Sequence, residues 1–150
     1  YTEKSDEYKE VVDRLRRKFD TAATLVPAPI LNVDDTKPRL NDCALLSIGS
    51  CDGAIREARD RMMLDSQTNI DYMRIQAFPF HKDVIDFIDQ YDQVFVIEQN
   101  RDAQLRQLLS IELNIDPNRL IPLLSYDGMP VSSDFIVEGV AELMKQGHAA

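Results

Sequence analysis

A chain of 150 residues with 44% hydrophobic side chains has the size of one ordinary domain and can bury a single core. Its formal net charge of -9 at pH 7 repels phosphate backbones, which argues against a nucleic-acid-binding protein. No apolar stretch approaches the roughly 20 residues that a membrane span needs, and the first residues lack the features of a signal peptide. We therefore expect a soluble cytoplasmic protein that binds neither nucleic acid nor membrane.

The cysteines and histidines are too few and too scattered to build a redox or metal centre. Cys43 and Cys51 do not form a CxxC pair, and two thiols cannot hold an iron–sulfur cluster or a disulfide framework. We predict that both are reduced. His81 and His148 are far apart and lack ligand-spaced neighbours, so no metal site is predicted. The sequence predicts no cofactor bound by this chain alone.

The N-terminal segment, residues 6–25, has the pattern of an amphipathic helix that Ser5 can cap. Pro27 and Pro29 end it, and residues 26–39 read as an extended linker. Large apolar side chains left in water forfeit about 1.5–3 kcal/mol each, so we expect this domain or a neighbouring copy to cover the apolar face. That face comprises Tyr8, Val11, Val12, Leu15, Phe19, Ala22 and Ala23.

After the linker, short apolar runs alternate with helical patterns. The predicted strands are residues 43–48, 72–78, 93–97 and 120–125, and the predicted helices are residues 53–64, 82–90, 102–113 and 133–145. Continuous apolar strands are expected when helices cover both faces of a parallel sheet. We therefore predict a three-layer α/β/α fold with a mainly parallel sheet in residues 40–150, preceded in residues 1–39 by the amphipathic helix and linker.

The carboxyl ends of parallel strands meet at one edge, where open α/β sheets bind ligands. Glu98 follows a buried strand and could be a general base, but no nucleophile with its own base accompanies it, so we predict no catalytic residue. The candidate interface or ligand residues at this edge are Gly49, Ser50, Gly53, Glu98, Gln99, Asn100, Arg101, Tyr126 and Asp127.

The turn at residues 48–53 has Gly-x-x-x-Gly spacing, which matches neither the dinucleotide fingerprint nor the phosphate loop. The helix that follows could offer free N–H groups to an anion. Alternatively, Asp52 could cap that helix, and Asn100 or Asp102 could cap the helix after the third strand. Both interpretations of the turn stay open at the level of sequence.

Several motifs together resemble the C-terminal domain of the alpha subunit of 2-oxoacid:ferredoxin oxidoreductases, and the 2-oxoglutarate branch is the most similar. The helix at residues 8–22 resembles the one that joins this domain to a preceding domain, so we expect the chain to be part of a longer polypeptide. The motifs are Gly49-Ser50 with residues 53–58, Phe78-Pro79-Phe80, the Val-Ile-Glu-Gln-Asn-Arg-Asp-Ala-Gln-Leu run at residues 96–105, and Tyr126-Asp127-Gly128-Met129-Pro130.

The resemblance implies a transketolase C-terminal-like sheet in which a short antiparallel strand can accompany the parallel ones. It also implies oxidative decarboxylation of a 2-oxoacid to an acyl-coenzyme A, with thiamine diphosphate, magnesium, an iron–sulfur cluster and ferredoxin. In the family a beta subunit holds the diphosphate and the cluster, and the preceding alpha-subunit domain contributes to the thiamine site. The implied partners are that preceding domain, the beta subunit, ferredoxin and coenzyme A, and we expect this fragment alone to be inactive.

A second hypothesis remains beside this one. A flavodoxin-like domain could bind a small molecule or nucleotide, with an anion held by the turn at residues 49–53.

Overall fold

The computed structural model describes residues 3–34, 36, 39–67 and 69–147. No helix in these ranges is long and apolar enough to cross a membrane. In chain order the elements are α1 Ser5–Leu25, β1 Ile30–Asn32, β2 Arg39–Ile48, α2 Asp52–Ser66, β3 Asn69–Ile75, α3 Asp83–Ile88, β4 Gln93–Glu98, α4 Gln104–Leu113, β5 Leu120–Leu124 and α5 Ser133–Gly147.

The strands form a sheet in the order β1-β3-β2-β4-β5. β2 runs parallel to β3 and β4, β4 runs parallel to β5, and β1 alone pairs antiparallel, with β3. The predicted mainly parallel sheet is therefore confirmed. β1 lies inside the segment predicted as a linker, because three residues are too few for a period-two pattern to be recognised.

Both faces of the sheet are buried, and the apolar side chains of β4 pack alternately against one face and the other. Val94 and Val96 pack in the cluster that contains side chains of α3 and α4. Phe95 and Ile97 pack on the other face, in the cluster that contains side chains of α2 and α5. Successive side chains of a strand point to opposite faces, so an uninterrupted apolar strand requires helices on both sides. The predicted three-layer α/β/α fold is confirmed.

Several element boundaries differ from the sequence prediction: β2 begins at Arg39 and not at residue 43, and α3 spans Asp83–Ile88 and not residues 82–90. Physical reasons can be given for the differences at β3 and α4. β3 covers residues 69–75 and not 72–78, because the polar Asn69 and Asp71 are themselves buried in the strand. α4 begins at Gln104 and not at Asp102, because Ala103 takes the left-handed conformation with φ of 52°. The spacing of apolar residues reveals neither a buried polar residue within a strand nor a residue in the left-handed conformation, so it misplaces these boundaries.

α1 is the amphipathic helix that the sequence predicts, but the domain does not bury it. No residue of α1 is buried, and exposure on its apolar face reaches 64% at Tyr8. The Phe19 ring contacts the Phe78 ring at a centroid distance of 5.4 Å, beside an open groove of about 690 Å³ between α1 and the body of the domain. This domain leaves the face open, and its cover by a neighbouring copy stays a prediction. The expected Ser5 cap is wrong, because Lys4 occupies the N-cap position and its side chain does not cap the helix.

Cys43 and Cys51 are free and buried. Burial, followed by the nearby Asp42 carboxylate, raises the pKa of the Cys43 thiol to about 11. The folded state therefore keeps this thiol protonated at a pH where the unfolded chain ionises it, so unfolding releases a proton there.

We expect the free energy of unfolding to be insensitive to Cys43 below about pH 8.5 and to fall by about 1–3 kcal/mol on its account between that pH and about pH 11. Urea titrations at both ends of this range would measure the fall, with Cys43→Ala as the comparison. The variant should lose less stability than the parent chain. Equal losses of stability in the two chains would show that the Cys43 thiol does not cause the fall.

Candidate functional site

The loops at the carboxyl edge of the sheet contain the residues that the sequence singles out. Residues 49–51 follow β2, residues 99–103 follow β4 and residues 125–132 follow β5. β2 leads to β3 on one side and β4 leads to β5 on the other, so the loops after β2 and β4 flank the point where the strand order reverses. Such a reversal point leaves a crevice between diverging connections.

Glu98 is 4% exposed at the end of β4 and its carboxylate receives three hydrogen bonds. The backbone N–H groups of Leu105 and Arg106 donate to it at 2.7 and 3.0 Å, and the Asn100 side-chain amide donates at 2.7 Å. Two of these donors are free N–H groups in the first turn of α4, where negative charge is also favoured by the helix dipole. Glu98 therefore acts as a remote cap that ties β4 to α4.

Asn100 continues this capping arrangement. Its Oδ1 atom accepts hydrogen bonds from the backbone N–H groups of Asp102 at 3.1 Å and Gln104 at 3.2 Å. Asn100 thus satisfies the first backbone N–H of α4 from outside the helix, whereas the N-cap position itself is Ala103, which makes no side-chain bond. Arg101 is exposed and pairs with its sequence neighbour Asp102 at 2.8 Å, a contact of the kind that contributes about 0–1 kcal/mol.

Gln99 links three loops through its side-chain amide. Ser50 Oγ donates to Gln99 Oε1 at 2.9 Å, and Gln99 Nε2 donates to the Met129 carbonyl oxygen at 3.4 Å. The Cys51 thiol lies 4.0 Å from the same Gln99 oxygen. This single side chain therefore joins the loops that follow β2, β4 and β5.

Asp52 does not cap α2 as the sequence suggests. It is the first residue of the helix, and the residue before it provides no side-chain cap. Its carboxylate instead accepts a hydrogen bond from the Tyr72 hydroxyl at 3.2 Å and lies 3.0 Å from Arg56 and 3.4 Å from Arg74. The negative charge of Asp52 is thus matched by two guanidinium groups.

Sequence reasoning missed the buried polar pair below Asp52. The hydroxyls of Ser47 and Tyr72 lie 2.8 Å apart, and both residues are 0% exposed. Burial raises the pKa of Tyr72 to about 12, partly offset by its hydrogen bond with Ser47. The available signal was the occurrence of a hydroxyl in each of two apolar strands that a parallel sheet places side by side.

A groove of about 600 Å³ occupies the crevice between these loops. We call it the switch-point groove. Of the residues that the sequence singles out, Ser50, Gln99 and Tyr126 line it. The remaining lining residues are Ala54, Ser125, Gly128, Met129, Pro130 and Val131.

The other predicted edge residues lie outside the groove lining. Gly49 has φ of 79°, a conformation that explains glycine at this turn, whereas Gly53 has neither a positive φ nor a close neighbour. Asp127 Oδ1 accepts a hydrogen bond from the Met129 N–H at 2.9 Å and so shapes the loop after β5. The nine predicted residues therefore share one edge but serve separate purposes.

The chemistry available at this edge is limited. Ser50 bonds to an amide and not to a base, and burial raises the pKa of the Cys51 thiol, which disfavours the thiolate nucleophile. Across residues 3–34, 36, 39–67 and 69–147, no three His, Cys, Asp or Glu side chains cluster in a way that could hold a metal ion. The side chains described at this edge bond to the start of α4 and link the loops to one another.

No protein-family model matches the sequence, and the curated proteins give no match. Solved structures do match. The chain is similar to 2-oxoglutarate:ferredoxin oxidoreductase from Magnetococcus marinus, a structure with 2-oxoglutarate, coenzyme A and succinyl-CoA bound, with 20% identity and a TM-score of 0.79. The match covers 94% of this chain but 24% of that one, so the present chain spans about a quarter of its length.

A second similar structure is the alpha chain of a probable 2-oxoacid ferredoxin oxidoreductase from Thermoplasma acidophilum. It matches with 19% identity and a TM-score of 0.51, over 79% of this chain and 97% of that chain. At these identities the two likenesses establish that the chain shares the fold of a domain found in 2-oxoacid:ferredoxin oxidoreductase chains.

Proposed function

We propose that this chain is the C-terminal structural domain of the alpha subunit of a 2-oxoacid:ferredoxin oxidoreductase, of the 2-oxoglutarate branch. The complete enzyme would decarboxylate a 2-oxoacid oxidatively to an acyl-coenzyme A and reduce ferredoxin. In this proposal the domain holds the complex together and contributes no catalytic residue.

The observation that carries the proposal is the likeness of fold to a 2-oxoglutarate:ferredoxin oxidoreductase chain across 94% of the present chain. The Thermoplasma structure, an alpha chain, is matched over 97% of its own length. The Glu-Gln-Asn-Arg-Asp-Ala-Gln run at residues 98–104 adds the sequence resemblance at the edge of the sheet.

The contacts of the edge residues support a structural role. Glu98, Gln99 and Asn100 all direct their polar atoms to backbone or loop partners within the domain. Polar groups used in this way fix loop positions, and buried groups left without partners would cost about 1–3 kcal/mol each. A catalytic group would instead need to face a substrate.

The open face of α1 supports an assembly role. Tyr8, Leu15 and Phe19 are 64%, 56% and 42% exposed, respectively. An apolar stripe on a helix normally packs against another element. We assign this face to a neighbouring subunit of the complex, with the preceding domain of the same subunit as the alternative cover.

The remaining parts of the proposal concern the complex. Thiamine diphosphate, magnesium and the iron–sulfur cluster would be held by the preceding domain and the beta subunit, and ferredoxin and coenzyme A would meet the complex as its substrates. A cytoplasmic location accords with this role.

The flavodoxin-like alternative placed an anion at the turn of residues 49–53. Asp52 brings a carboxylate to the start of α2, and Arg56 and Arg74 lie against it. These contacts disfavour an anion at this turn, because the nearby cationic charge is already compensated.

To test the proposed function, we would express the complete reading frame that encodes this chain together with its beta subunit. We expect the complex to reduce a viologen dye with 2-oxoglutarate and coenzyme A, and to do so poorly with pyruvate. The purified 150-residue chain should show no such turnover. Turnover by this chain alone after metal removal, or an intact active complex lacking residues 1–150, would refute the structural role.

A further inference from the structure

The switch-point groove has the position and size of a small-molecule site. It lies where the connections from β2 and β4 diverge, which is the usual ligand position in open α/β sheets. Its volume of about 600 Å³ lies within the range of about 300–1,000 Å³ that is typical of ligand pockets.

The groove is held in shape by contacts that need no ligand. Gln99 links Ser50 on one side to the Met129 carbonyl on the other, and the Ser125 N–H donates to the Glu98 carbonyl at 2.9 Å. The Asp127 side chain fixes the Met129 N–H. A site preorganised in this way loses little entropy on binding.

The lining determines the chemical class of the ligand. None of the described residues that line the groove carries a formal charge, so a phosphate or carboxylate would find no counter-ion there. Ala54, Pro130 and Val131 provide apolar walls, whereas the hydroxyls of Ser50 and Ser125 provide hydrogen-bonding groups. These features fit an uncharged molecule with both apolar and polar atoms.

The rim adds a preference for a flat ring. Tyr126 is 65% exposed and Met129 is 67% exposed, and both belong to the lining. A tyrosine ring stacks on planar rings, and a thioether makes favourable contacts with aromatic systems. An exposed aromatic and thioether pair at the mouth of a groove therefore favours a planar, aromatic ligand.

We propose that the switch-point groove binds a small uncharged ligand built on a planar heteroaromatic ring, of the size of a nucleoside. The inference is independent of the assembly role, because it rests on this groove alone and its test involves no oxidoreductase activity.

The test is a titration of the isotopically labelled 150-residue chain, followed by amide chemical shifts, with adenosine, thymidine and nicotinamide as probes. We expect saturable shifts at Ser50, Gln99 and Gly128 for at least one probe, with a Kd on the order of 0.1–1 mM. Adenosine 5′-monophosphate carries the adenosine ring with a charged phosphate and should bind no more tightly than adenosine.

Two groove variants and a matched control accompany the titration. Tyr126→Ala should weaken binding about 10-fold, the size expected for loss of a stacking partner, and Met129→Ala should weaken it in the same direction. Tyr8→Ala removes an equally exposed tyrosine, 64% against 65%, from α1 and should leave binding unchanged. The proposal is overturned if no probe gives saturable shifts at this edge, if the phosphate ester binds tenfold more tightly than adenosine, or if Tyr8→Ala weakens binding as much as Tyr126→Ala.

Discussion

Replacing Glu98 by Gln is expected to lower the free energy of unfolding of this chain by about 2–4 kcal/mol. The amide keeps the shape of the side chain but removes its charge and turns one of its two acceptor atoms into a donor. The N–H groups of Leu105 and Arg106, which donate to the two carboxylate oxygens at 2.7 and 3.0 Å, cannot both be satisfied by Gln. Hydrogen bonds to charged groups contribute about 1.5–3 kcal/mol each.

Urea unfolding of the two chains would measure this loss, with Glu112→Gln as the control because it makes the same change at an exposed position of α4. In the assembled enzyme we expect Glu98→Gln to reduce assembly while turnover per assembled complex stays near normal. Intact assembly with turnover lowered about a hundredfold would correspond to about 2.7 kcal/mol of lost transition-state stabilisation. That result would give Glu98 a part in the chemistry and contradict its purely structural role.

Replacing Leu15 by Asp on α1 should have a small effect on the isolated chain and a large effect on the assembled subunit. Leu15 is 56% exposed, so the isolated chain should lose under about 1 kcal/mol of stability. In the complex the same change would bury a carboxylate against an apolar partner, and we expect the association constant to fall at least about 30-fold, or about 2 kcal/mol.

Thr21→Asp provides the matched control for this prediction. It adds the same charge to the same helix beside Arg14 and Arg17, away from the apolar face. Light scattering of the mixed subunits would measure association, and hydrogen exchange should show residues 8–19 poorly protected in the isolated chain and strongly protected in the complex. Equal effects of the two substitutions, or no effect of Leu15→Asp on association, would show that the apolar face of α1 is not an assembly surface.

The positions of the carboxyl-edge residues could be predicted from the sequence, but their contacts could not. The sequence placed Glu98 at the end of a buried strand and Asn100 ahead of a helix, and the structure has both there. It did not show that the Glu98 carboxylate reaches seven and eight residues ahead to the first turn of α4. That contact depends on how the loop folds back, and the left-handed Ala103 makes this path possible.

The three-layer fold, the mainly parallel sheet and the amphipathic character of α1 were determined by the sequence alone. The helix follows from the spacing of apolar residues within one segment, and the sheet and its layers follow from the alternation of apolar strands with helical segments. The tertiary structure decided what lies between elements. It added β1 to the edge of the sheet, directed Asp52 to Tyr72 and the two arginines, joined three loops through Gln99, and left the apolar face of α1 uncovered. Periodicity within a segment reports which side chains avoid water, but the partner of a polar side chain or of an exposed face depends on segments distant in the chain.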